Sequence, residues 1–260
     1  MRDQRRDNDY FTQLLADLEE ALAETQQALD NGEFTSLSEQ VDTAQQLYQL
    51  AIMRAVAHYS YGGRPSELKP YVLAILPYRI QLSRMANKLP EAHQCYRWDF
   101  EQLGGVGEAC GSANINRYVY VLWWLALLNA VEAEQPHQDA VLAIIGEQGK
   151  DALLDTIAVQ LGDTNRPVAQ HLYYPEPYQT LLSALQSQTP AEQVDLLNQF
   201  IAKWYDSLDD ADWFDNDLCE CEFVYTDYYV GYWCFEAALV ANLLEIEPAQ
   251  LKPHPMLPVF

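Results

Sequence analysis

Apolar positions along this 260-residue chain recur at three- and four-residue steps almost throughout, the spacing that puts them on one face of an α-helix. Phe11, Leu14, Leu15, Leu18 and Leu22 form the first such stripe, and Asn31-Gly32 supplies a stop. Val41, Ala44, Leu47, Leu50, Ala51, Met53 and Ala55 predict a second helix. It runs out at Tyr59-Ser60-Tyr61-Gly62-Gly63, where a glycine can take the left-handed turn. A third is predicted after Pro65-Ser66-Glu67, with Pro70 in its first turns and Pro77 kinking or ending it. Pro90-Glu91 opens a fourth, carrying Tyr96, Trp98 and Phe100.

Gly104, Gly105, Gly107 and Gly111 then fall close together and mark a domain boundary or a long hinge loop. Beyond them the pattern predicts an apolar helix around Trp123-Trp124 and two short helices flanking Gly146 and Gly149. A turn-rich link from Gly162 to Pro177 and a helix near Tyr178–Leu185 come next. Another helix is predicted with Thr189 as cap and Pro190 in its first position. The last spans roughly Tyr228–Leu244. Alternating polar and apolar strand patterns are essentially absent. The expected class is all-α, a multi-helix bundle with room for two helical subdomains packed into one body.

Charge narrows the partners. The net charge is -23 and the pI about 4.3, with 49% hydrophobic residues arguing for a folded core rather than disorder. Nucleic acid and anionic membranes would be repelled, so the expected partners include neither. Tyr118 to Val131, the most apolar run, falls short of the ~20 residues of a spanning helix. The charged opening, Met1-Arg-Asp-Gln-Arg-Arg-Asp, has no apolar stretch behind it and is not read as a signal peptide, which points to the cytoplasm. Five irregularly spaced cysteines (95, 110, 219, 221, 234) read as reduced thiols. Cys219-Glu-Cys221 is too tight for half of a zinc knuckle.

Catalytic constellations are missing. His58, His93, His137, His171 and His254 are isolated, and no nucleophile elbow, phosphate loop or zinc-binding histidine pair occurs. No catalytic residue, metal ligand or cofactor is assigned, and the chain is read as not an enzyme. Asp151 and Asp155, one turn apart, are expected to form a solvated helix face rather than a metal site. His58 is expected to be packed or C-capping.

One stretch is distinctive. Between Lys203 and Lys252 there is no Lys or Arg, while Asp206, Asp209, Asp210, Asp212, Asp215, Asp217, Glu220, Glu222 and Asp227 crowd together. Trp204, Tyr205, Trp213, Phe214, Phe223, Tyr225, Tyr228 and Tyr229 are threaded through them. Acids supply long-range attraction and aromatics short-range contact area, the combination needed to grip a basic partner. On this ground the nine acids and Trp213 are the expected binding surface. Downstream, Tyr232, Phe235, Leu239 and Leu243 form one apolar face. Gly231 would allow close backbone approach at a helix start. Glu236, set among aromatics, needs a cationic or hydrogen-bonding partner if buried.

The run Gly231-Tyr-Trp-Cys-Phe-Glu-Ala-Ala238 resembles the C-terminal domain of the PoNi-like immunity proteins, which counter PoNe-type DNase toxins delivered by type VI and related secretion systems. In that family a Trp-Tyr pair and an acidic, Trp-containing loop precede this helix. Here they resemble Trp204-Tyr205 and Asp210-Ala-Asp-Trp213. Lys150-Asp151-Ala-Leu-Leu-Asp155, Tyr178-x-x-Leu-Leu, the opening Met1–Phe11 and Ala57-His-Tyr-Ser-Tyr-Gly62 are similar to further family features. The chain departs from the family at His58, where an Arg is common, and in its ending Lys252-Pro-His-Pro-Met-Leu-Pro-Val-Phe260. The resemblance implies an N-terminal domain over 1–108, a C-terminal domain over 112–260 and a cognate DNase toxin as partner. With it, Gly231, Tyr232, Trp233, Phe235 and Glu236 are expected to be structural supports. An acidic helical adaptor for a basic non-nuclease partner, or immunity to a toxin of another activity, would fit the same charge pattern.

Overall fold

A computed structural model describes residues 1–97, 101–104, 106–107, 111–112, 115–218 and 228–260. Helix α1 (Asn8–Asp30) starts at Asp7, whose carboxylate accepts from Tyr10 N, and ends at Asn31-Gly32 as its pattern predicts. α2 (Leu37–Tyr61) opens with a reciprocal capping box between Ser36 and Glu39 and closes on left-handed Gly62. α3 (Pro65–Leu73) and α4 (Ile75–Ala86) divide the predicted third helix. The break falls at Ala74 because Pro77 has no N–H to offer the Leu73 carbonyl. The described start of the predicted fourth helix, Glu91–Arg97, is a 3-10 segment; Trp98 and Phe100 lie outside the described residues.

Within the glycine cluster, β1 (Val106–Gly107) and β2 (Gly111–Ser112) pair antiparallel, a two-residue exception to the helical pattern. The remaining helices are α5 (Ile115–Ala130), α6 (Gln135–Ile145), α7 (Ala152–Gln160), α8 (Pro175–Gln186), α9 (Pro190–Lys203) and α10 (Phe235–Leu243). Thr189 stands at the N-cap position of α9 without capping it through its side chain. The molecule is an all-α, multi-helix body. No helix among the described residues is long and apolar enough to cross a membrane.

The chain divides into two compact units. The first comprises Met1–Gln102, Val106–Ala113 and Asp215–Gly231. In it α2 is the hub, packed by α1, α3 and α4, with Phe11, Leu18, Leu47, Leu50 and Val56 at its core. The late segment joins this unit through polar contacts. Tyr10 donates to the Tyr229 carbonyl at 2.8 Å, Tyr229 to Asp3 at 2.6 Å, and Ser60 to the Val230 carbonyl.

The second unit comprises Leu103–Gly105, Asn114–Phe214 and Tyr232–Phe260. Here α10 is the central helix, touching α5, α7, α8 and α9. Phe235 through Ala241 are all buried, so α10 is enclosed on every side, as a core helix is. It is shorter than the predicted Tyr228–Leu244: residues 228–234 are not helical, and Gly231 has φ +110. That left-handed region is open to glycine and strained for other residues, so Gly231 turns the chain before the helix rather than starting it.

Candidate functional site

The acidic stretch begins where α9 ends. Asp206 opens a 3-10 turn, Asp206–Leu208, and Asp209, Asp210 and Asp212 follow on turns; all four are exposed. Asp206, Asp209 and Asp210 make no ion pair among the described residues. Buried Leu208 and Ala211 hold the turn down, and the Asp212 N–H donates to Asn116 Oδ1 of α5 at 2.8 Å. Apolar side chains thus hold the backbone while the carboxylates stay in water.

Beneath this turn lies an aromatic lattice of the second unit. Trp213 stacks on Trp204 with centroids 5.2 Å apart and planes at 14°, and sits 5.7 Å from Trp123. Tyr205 stacks on Phe214 at 4.6 Å and meets Tyr232 at 5.0 Å; Trp123 meets Phe235 edge-on at 5.8 Å. Trp213 is only 4% exposed. Its expected place on the binding surface is therefore corrected: the ring supports the acidic turn from within. Asp215 and Asp217 belong to the first unit, one exposed and the other half-buried, and Glu220, Glu222 and Asp227 lie outside the described residues. Leu218, 73% exposed among these acids, is a surface residue that pattern reading misses because a lone leucine carries no periodicity.

Gly231, Tyr232, Trp233, Phe235 and Glu236 are all buried. Glu236 has no exposed surface and accepts from the Tyr178 hydroxyl at 3.1 Å, the hydrogen-bonding partner that its setting demands. Its Oε2 and the indole N–H groups of Trp123 and Trp204 form no hydrogen bond of normal geometry among the described residues. Burial pushes the Glu236 pKa up to about 7, against the weaker pull of its own backbone and of Trp204, Tyr178 and Trp123. Nearby Cys234, buried and free, has its thiol pKa raised by burial and by the Glu236 charge.

Asp151 and Asp155 are not the expected solvated face; neither has exposed surface. Asp151 caps α7 by accepting from Leu154 N and also takes the Tyr118 hydroxyl at 2.7 Å and Tyr173 N at 2.7 Å. Asp155 binds Arg166 Nε at 2.6 Å and accepts from Gly149 N and Ala169 N. These two carboxylates pin the turn-rich link against α7, and their donors replace the water they lost. His58 stacks on Tyr71 at 3.8 Å, and burial, with Arg54 nearby, lowers its pKa to about 4, so it is a packed, neutral side chain. Among the described residues no group of His, Cys, Asp and Glu is arranged to hold a metal.

Residues 149–259 match the family model for PoNe immunity proteins (PoNi), C-terminal. The fold is similar to the crystal structure of protein PA2201 from Pseudomonas aeruginosa, with TM-score 0.65 and 18% identity over 98% of this chain and 88% of that one. At that identity the likeness is one of fold. No curated protein matches. The C-terminal part of the chain is thus similar to the PoNi C-terminal domain, a match that supports a PoNi-like immunity protein.

Proposed function

We propose that this PoNi-like chain binds a cognate DNase toxin stoichiometrically and occludes its DNA-binding or active-site surface, without catalysis, in the cytoplasm of a cell that delivers the toxin by a type VI or related system. The observation that carries the reading is the exposed acidic turn, Asp206–Asp212, held on a rigid aromatic base in a chain of net charge -23. A DNase must present Lys and Arg to hold phosphates, so an acidic surface competes for the same groups. Steering by these charges raises the association rate, and close contact then slows dissociation. Asp206, Asp209, Asp210, Asp212, Asp215, Asp217, Glu220, Glu222 and Asp227 form the proposed toxin-facing set, with Trp213 as the support of its first part. The domain division 1–108 and 112–260 is proposed as the family's own two modules.

A plasmid-nicking assay with the nuclease toxin encoded beside this gene, titrated at low and moderate salt, tests the reading. Complete inhibition near one equivalent, with a complex that forms more slowly as salt rises, is expected. Absence of inhibition and of any complex at both salts would remove the DNase pairing and favour a different basic partner.

A further inference from the structure

The second unit carries a cleft of about 450 Å³ beside the acidic turn. One wall is Tyr173–Pro177, the approach to α8 and its first turn; the other carries Asp206, Ser207, Asp209 and Asp210. Among the described residues its lining includes four carboxylates, counting Glu176, and no lysine or arginine. A cleft of this size with tyrosine and proline walls and a carboxylate rim is built for a group with an apolar stem and a cationic head.

Both walls are fixed in advance. Tyr173 is tied by its N–H to Asp151 and by its hydroxyl to Glu147, and its ring lies so close to Gly104 that an added Cβ there would fall 2.0 Å from it. Opposite, Ser207 Oγ donates to the Trp204 carbonyl at 3.0 Å, and buried Leu208 anchors the turn. A side chain entering this cleft orders little that is not already ordered, which favours affinity.

The start of α8 would ordinarily attract an anion, through its unsatisfied N–H groups and the helix dipole. Here Pro175 at N1 and Pro177 at N3 remove two of those donors, and Glu176 between them adds negative charge. The helix start is therefore adapted to a cation. The Tyr174 hydroxyl, enclosed beside this helix start and within reach of the Arg117 charge, forms no hydrogen bond among the described residues.

From this arrangement we infer that the cleft between Tyr173–Pro177 and Asp206–Asp210 is the socket for an arginine side chain of the toxin. This rests on the proposed immunity function and narrows it to one anchor point. Arginine suits the site because its planar fork can engage two carboxylates at once, while tyrosine rings accept its face and stem.

The test compares a cleft variant, Asp206→Asn/Asp209→Asn/Asp210→Asn, with a control that loses the same charge on exposed residues near α1, Glu20→Gln/Glu24→Gln/Glu33→Gln. Each is titrated with the neighbouring toxin's nuclease domain and, separately, with a hexa-arginine peptide. The cleft variant should bind the toxin about thirty-fold more weakly, and the control within about three-fold of the parent. Toxin binding that falls equally in both variants, or in neither, overturns the socket while leaving the immunity function intact. If the parent ignores the toxin but binds the peptide, and only the cleft variant loses the peptide, the socket stands and the DNase pairing falls. Binding of neither probe overturns both.

Discussion

Asp206, Asp209 and Asp210 stand in water on the turn after α9, whereas Asp155 of α7 has no exposed surface and closes on Arg166 at 2.6 Å. The residue type is the same and the work is opposite. An exposed carboxylate keeps its hydration, contributes little to stability and projects its field outward. An enclosed one holds chain segments together because leaving it requires an uncompensated buried charge. Glu236 is a third case, enclosed among aromatics with a hydrogen bond from Tyr178 and no ion pair among the described residues, so burial raises its pKa and favours the protonated form.

Removing Asp155 should have the largest effect. Asp155→Ala leaves Arg166, itself buried, with the Gly146 carbonyl and the more distant Asp163, and should lower the unfolding free energy by about 3–5 kcal/mol in urea titration. A loss below about 1 kcal/mol would show that the buried pair is not the pin described.

Glu236 comes next, and its sign runs against the usual carboxylate. Its folded pKa, about 7, lies above the 4.5 of the free group, so between those values the native state binds the proton and the unfolded chain does not. Stability should therefore fall as pH rises from 4.5 to 7 and level off above, a total of about 3 kcal/mol from this group. Glu236→Gln should remove that slope and raise stability at pH 8. Urea midpoints at pH 5.5 and 8 for both proteins measure it; an unchanged slope in the variant would assign the titration elsewhere.

Glu245 shows an acid whose problem is its backbone. It follows α10 with φ +57, while Ile246 N bonds back to the Ala241 carbonyl, a helix ending that ordinarily uses glycine. Glu245→Gly should stabilise the protein by about 1 kcal/mol, seen as a thermal midpoint a few degrees higher. The smallest stability change is expected for Asp206→Asn/Asp209→Asn/Asp210→Asn, within about 0.5 kcal/mol by the same thermal measurement. A large loss there would place these acids with the buried group and undo the contrast.

Part of this is legible in the residues themselves. α1 and α2 carry clear stripes with proper stops, and the Gly231–Ala238 run by itself points to the family. The length of α10 is not legible, because apolar residues on all sides give no stripe to mark where the helix begins. Asp151 and Asp155 look like a solvated face in sequence because their burial depends on Arg166, Ala169 and Tyr173, donors in a turn-rich link with no periodicity. Trp213 sits between acids in sequence but on Trp204 in space, and only packing distinguishes a surface anchor from a core ring. The Tyr173–Pro177 wall is hidden for the same reason, since its closeness to Asp206–Asp210 is purely tertiary.

Stopped-flow association separates exposed acids that act on the partner from buried acids that act on the fold. The neighbouring toxin's nuclease domain would be mixed with the parent chain and with the Asp206→Asn/Asp209→Asn/Asp210→Asn variant over a range of salt. The parent rate should fall steeply with salt, and the variant rate should start lower and vary less, at unchanged thermal stability. Superimposable salt curves for the two proteins would contradict that division.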